Sequence, residues 1–71
     1  MKQPQVGEIW LLSLLGRFED PPDYFERELP NLVEIEDIDD YVIYFISGRG
    51  SDRWYNLKRK DFILYYERAP K

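Results

Sequence analysis

The chain has 71 residues, a net charge of −4, and neither Cys nor His. Without Cys it can form no disulfide and no thiolate metal site, and without His it lacks the commonest metal ligand and the commonest general base. A chain of this size buries only about 60% of its unfolded surface, so a single domain is expected whose stability rests on packing, alone or shared with a second subunit. Aromatic residues make up 17% of the sequence, which favours a packed core over disorder.

The charge is distributed unevenly. Residues 1–40 carry three basic and eleven acidic side chains, a net of −8; residues 41–71 carry seven basic and three acidic, a net of +4. Either the two halves pair internally or the molecule has faces of opposite sign. Residues 1–5 are polar and lead straight into the fold, with no leader pattern. No apolar run approaches the roughly 18 residues of a membrane span. With the missing Cys, the expectation is a soluble, cytoplasmic protein that does not contact membrane.

Residues 6–15 read as the first strand, bounded by Gly7 and Gly16. Its apolar residues fill both parities, Ile9, Leu11 and Leu15 against Trp10, Leu12 and Leu14, so it is covered on both faces; a Leu-rich helix is the competing reading. Residues 16–31 form an acidic insertion. Asp20 could cap a helix with Pro21 at its first position, placing Phe25 and Leu29 on one face, before Pro30 ends it. An irregular loop competes equally with that helix.

Residues 32–38 alternate Val33 and Ile35 with Glu34 and Glu36, a strand with one wet face. Asp39 and Asp40 make a turn, and residues 41–46 are β-branched and aromatic throughout, the clearest strand in the chain. Residues 47–52 are a hairpin loop, and 53–57 return as a strand. A tight turn, one turn of 3₁₀ helix, follows at 58–61 with Phe62 folded inward, and 63–68 form a last strand. Five short strands, one insertion and no long helix predict an all-β domain.

Three stretches carry a family resemblance. Val6-Gly7-Glu8-Ile9-Trp10 is similar to the Gly-acid-apolar-Trp opening of a first barrel strand. Residues 33–44 look like a central meander, and residues 54–62, with Leu57 and Phe62 five apart, look like a closing strand and turn that plug a barrel end. On these residues the chain resembles the small SH3-like β-barrel proteins of phage and bacteria, over about fifty positions. The resemblance implies one five-stranded SH3-like barrel spanning 1–71, with 16–31 as an unusually long, acidic insertion. It does not imply a function, because SH3-like barrels bind peptides, nucleic acids and other subunits through grafted sites.

Catalytic chemistry has little to work with. Ser13, Ser47 and Ser51 have no visible base, and no phosphate-binding loop or nucleophile elbow is present. Glu34, Glu36, Asp37, Asp39 and Asp40 crowd one strand and turn, but Tyr41 and Val42 stand where a calcium loop needs a ligand and a glycine. They read as a solvated face, and no enzyme activity, metal or cofactor is expected.

Two features point to binding. The strip from residue 49 to 60 holds Arg49, Arg53, Lys58, Arg59 and Lys60 with Trp54 and Tyr55 between them, the residue types of a nucleic-acid groove. Strand alternation splits it, however, and a pI near 4.7 opposes phosphate binding. Pairing of Arg53 or Lys58 with Glu34 or Glu36 across the sheet is the structural alternative. The other feature is an aromatic surplus, which the insertion either buries or leaves as a patch. Phe18, Tyr24, Phe25, Trp54 and Tyr55 are the expected protein-contact residues.

The leading expectation is thus a non-enzymatic interaction module or accessory subunit whose partner is another protein, or a second copy through the doubly apolar first strand. The alternatives are an acidic, phage-type inhibitor that mimics nucleic acid through residues 19–40, and a weak nucleic-acid binder through the basic strip.

Overall fold

Alternating burial along each strand builds one apolar face. In a computed structural model, residues 3–48 and 53–69 are described. The strands are β1 (Ile9–Leu12), β2 (Leu32–Ile38), β3 (Val42–Ile46), β4 (Trp54–Lys58) and β5 (Tyr66–Arg68), with two short helices, α1 (Leu14–Phe18) and α2 (Arg59–Tyr65). The strands form a single antiparallel sheet in the order β4-β3-β2-β1-β5.

Register explains the core. Trp10 sits opposite Val33, Ile35 opposite Phe45, and Ile43 and Phe45 opposite Leu57 and Tyr55. All of these are buried on one face. The pairing shifts between Ile35 and Asp37, leaving Glu36 as a bulge. A bulge adds one residue and reverses parity beyond it. Hence Ile38, three positions after Ile35, still packs against the core. Ile46 is also buried, on the opposite parity, in lateral register with Glu34 and Trp54.

Phe62 is the one buried residue of α2, and it is fully buried. Its ring lies 5.2 Å from Trp10, 5.4 Å from Phe45 and 4.9 Å from Tyr66. Edge-to-face and offset contacts of this kind add to the area buried.

The expected architecture is corrected in part. The closed barrel is not formed: the sheet is open, and no register pairs β4 with β5. β5 has only three residues, and side chains from 20–31 occupy the outer edge of β4 instead. Of the two readings of the insertion, the irregular loop is the one formed beyond α1: Pro22 disfavours the helical region for Pro21, and a turn closed by Phe25 N–H to Pro22 O at 2.9 Å stands where the helix capped by Asp20 would begin.

The first and last strands are also shorter than the sequence implies. Ser13 accepts from the Gly16 N–H at 3.1 Å and starts α1, taking Leu14 and Leu15 out of the sheet. In the same way α2 runs on to Tyr65 and takes Ile63 and Leu64 with it. The two helices meet at Gly16, where an added Cβ would lie 2.5 Å from Leu12 Cδ1 and 2.6 Å from the Tyr65 carbonyl oxygen. The expected 47–52 hairpin loop lies largely outside the described residues.

Phe62→Ala should lower unfolding free energy by about 3–5 kcal/mol, because its cavity is lined by aromatics that cannot collapse. Gly16→Ala should cost about 1–3 kcal/mol by pushing α1 off α2. Urea denaturation followed by tryptophan fluorescence measures both; a shift under half a kcal/mol in either would contradict this packing.

Candidate interaction surface

The five aromatics expected at a contact do not form one patch. Phe25 and Tyr55 are buried, stacked at 6.0 Å, with Tyr55 in turn 5.7 Å from Phe45. They belong to the core, because the odd parity of β4 carries Tyr55 and Leu57 inward. Tyr24, Trp54 and Phe18 are exposed, on three different elements.

Residues 20–31 act as a strap across the β4 edge. Arg27 Nη2 donates to the Trp54 carbonyl at 2.9 Å, and its guanidinium lies 4.0 Å from the Tyr55 ring centroid. Tyr24 Oη accepts from the Lys58 N–H at 2.9 Å and donates to Asp61 Oδ2 at 2.6 Å. The strap thus claims backbone groups at both ends of an edge strand that would otherwise invite pairing with another chain. Its far end is held by Tyr66 Oη donating to the Pro30 carbonyl at 2.7 Å, and its start by Tyr65 Oη donating to the Asp20 carbonyl at 3.1 Å.

The basic strip is split as alternation requires. Arg49 lies outside the described residues; Arg53, Lys58 and Lys60 are exposed and Arg59 is half-buried. Lys58 does not meet Glu34 or Glu36, because β3 lies between β2 and β4. Its Nζ instead sits 5.1 Å from the Tyr24 ring centroid, and Arg59 Nη2 donates to Gln3 Oε1 at 2.7 Å. Lys58, Arg59 and Lys60 line a groove of about 660 Å³ with Asp40, Tyr41, Val42 and Ile63. Tyr41, just before β3, is 80% exposed.

The larger apolar surface lies on the helices. Leu14 (73% exposed), Leu15 and Phe18 (84%) on α1, and Ile63 and Leu64 on α2, are all solvent-facing, and the helices pack together. Of these only Phe18 was among the expected contact residues. The signal for Leu14 and Leu15 was the apolar run 9–15, which holds more apolar residues than a four-residue strand can use; for Ile63 and Leu64 it was the run 62–66, apolar on both parities. Among the described residues, no cluster of three or more acidic side chains is placed to hold a metal ion.

Three phenols sense alkaline pH: burial and then the Asp61 carboxylate raise Tyr65, and Tyr24 and Tyr66 are raised more. Burial and the Asp61 hydrogen bond raise Tyr24 from 10.0 to about 12. Burial, then the neighbouring Tyr55, pushes Tyr66 up further. All three hold their protons more tightly when folded, so their contribution is complete below pH 10 and is lost as pH rises through the folded values. Wild-type urea midpoints should therefore fall from about pH 10 upward. Tyr24→Phe should cost about 1–2 kcal/mol at neutral pH through two lost hydrogen bonds and show a shallower alkaline fall; an unchanged alkaline slope would contradict the strap.

No family model, curated protein or solved structure matches this chain, and what it does is therefore read from its own surface.

Proposed function

We propose that this chain is a non-enzymatic protein-interaction module on an SH3-like scaffold, and that its contact face is the apolar surface of α1 and α2. The observation that carries the reading is the exposure of Leu14, Leu15, Phe18, Ile63 and Leu64 on two helices packed side by side. Scattered apolar residues are normal on a surface, but several large ones on adjoining short elements mark an interaction site. The aromatic and branched side chains suit a desolvated contact centre. The strand order, with β1 pairing both β2 and the last strand, supports the SH3-like scaffold. The absence of Cys supports a reducing, cytoplasmic setting.

The strap sharpens this reading. It hydrogen-bonds to both ends of the exposed β4 edge and buries Phe25 and Tyr55, so strand addition at β4 is disfavoured and the helical face is the better docking surface.

A photoreactive side chain placed at position 18 or 64 in the living cell tests the proposal. Discrete protein adducts are expected from both positions and none from position 6, which is also exposed but lies on neither helix. Their loss on Leu14→Asp would assign them to this face. Absence of adducts from 18 and 64 would overturn the proposal.

A further inference from the structure

Resting on that reading, we infer that the partner of this face is a second copy of the chain, docked reciprocally across a two-fold axis beside α2. The two halves of the contact are both present in one molecule. The first is residues 18–20: Phe18 projects into solvent and is followed by the exposed carboxylates of Glu19 and Asp20. The second is the groove of Tyr41, Val42 and Ile63 with Lys58, Arg59 and Lys60 around it. With Arg17 counted beside the anchor and Asp40 beside the groove, the anchor carries a net of −1 and the groove a net of +2, so an aromatic anchor and an apolar groove meet with opposite sign.

The complement is not satisfied within the monomer. Among the described residues no ion pair joins Glu19 or Asp20 to Lys58, Arg59 or Lys60; the salt bridge is elsewhere, between Glu8 and Arg68 at 3.1 Å. The reason is position along α2. The Asp20 carbonyl is tied to Tyr65, the last residue of α2, whereas the groove begins at Lys58 and Arg59, where α2 starts. Seven residues of helix separate the ends by about 10 Å. Two copies of α2 laid antiparallel bring each end onto the opposite end of the other.

A two-fold arrangement therefore makes both contacts at once and closes, as isologous dimers do. Ile63 and Leu64, on the second half of α2, come under cover in the same step. A standard interface of about 800 Å² per partner would take roughly a sixth of the 5214 Å² surface. A long polyanion suits the groove less well. It would meet three cations beside Asp40 on a chain of net charge −4.

Sedimentation velocity of the full chain across micromolar concentrations, at low and moderate salt, is the test. The wild type is expected at twice the chain mass, weakening with salt. Glu19→Lys/Asp20→Lys and Lys58→Glu/Lys60→Glu should each self-associate about tenfold or more weakly. Mixed in equal amounts they should restore the dimer, since both contacts become attractive again. Phe18→Ser, at an exposed position, gives the same weakening if a charge-reversed variant does not fold. A wild type of single-chain mass at every concentration overturns the dimer, as does a dimer indifferent to these changes. Binding of single-stranded DNA by a monomer, lost in Lys58→Glu/Lys60→Glu, overturns it in favour of a nucleic-acid groove. A monomer whose position 18 crosslinks to a different protein overturns the dimer and leaves the interaction module standing. A monomer with no adduct removes both.

Discussion

Phe62 fixes the rest of the molecule. It is the one buried side chain of α2, and it meets Trp10, Phe45 and Tyr66 from three different strands. A seven-residue helix held by one buried ring, with Tyr65 packed alongside, leaves its remaining apolar side chains outside. Ile63 and Leu64 are exposed for that reason, and α1, packed on α2 through Gly16, adds Leu14, Leu15 and Phe18. The surface read as a contact face is thus a consequence of how the core is closed. For so small a core, covering that surface with another chain would add apolar burial the monomer lacks.

The strap solves a different problem. An open sheet exposes two edges, and a bare edge strand is a template for unwanted pairing. β5 is short, and β4 is blunted by Arg27 and Tyr24 at its two ends. The cluster of Tyr24, Asp61 and the Lys58 N–H couples the strap to the start of α2, so the same residues that guard the edge also orient the groove beside Lys58 and Tyr41. Segment 20–31 has no regular secondary structure, yet it supplies Phe25 to the core and closes its polar contacts against β1, β4, β5 and α2.

Much of the sheet was legible. Val33, Ile35, Ile43, Phe45, Tyr55 and Leu57 alternate as half-buried strands do, and β2 to β4 fall where that pattern puts them. Even the bulge left a trace, in the three-residue step from Ile35 to Ile38. The helices were not legible in full. Short apolar runs carry no distinguishing period, and what turned residues 14–18 and 63–65 helical was a cap at Ser13 and tertiary bonds from Ser13 to the Tyr65 carbonyl, 52 positions away. Missing that, sequence reasoning kept Leu14, Leu15, Ile63 and Leu64 in strands and looked for the contact among aromatics. Phe25 and Tyr55 then proved to be core, because only the strap's path decides which rings it covers.

The account stands on one claim, that the outer face of α1 and α2 is covered in the working state of the protein. Hydroxyl-radical footprinting inside the cell, referenced to dilute purified protein, measures this directly. The account predicts that Leu14, Phe18 and Leu64 are oxidised much less in the cell while Val6, on neither helix, is oxidised equally in both. Equal oxidation of all four would mean that the face stays bare, and would contradict it.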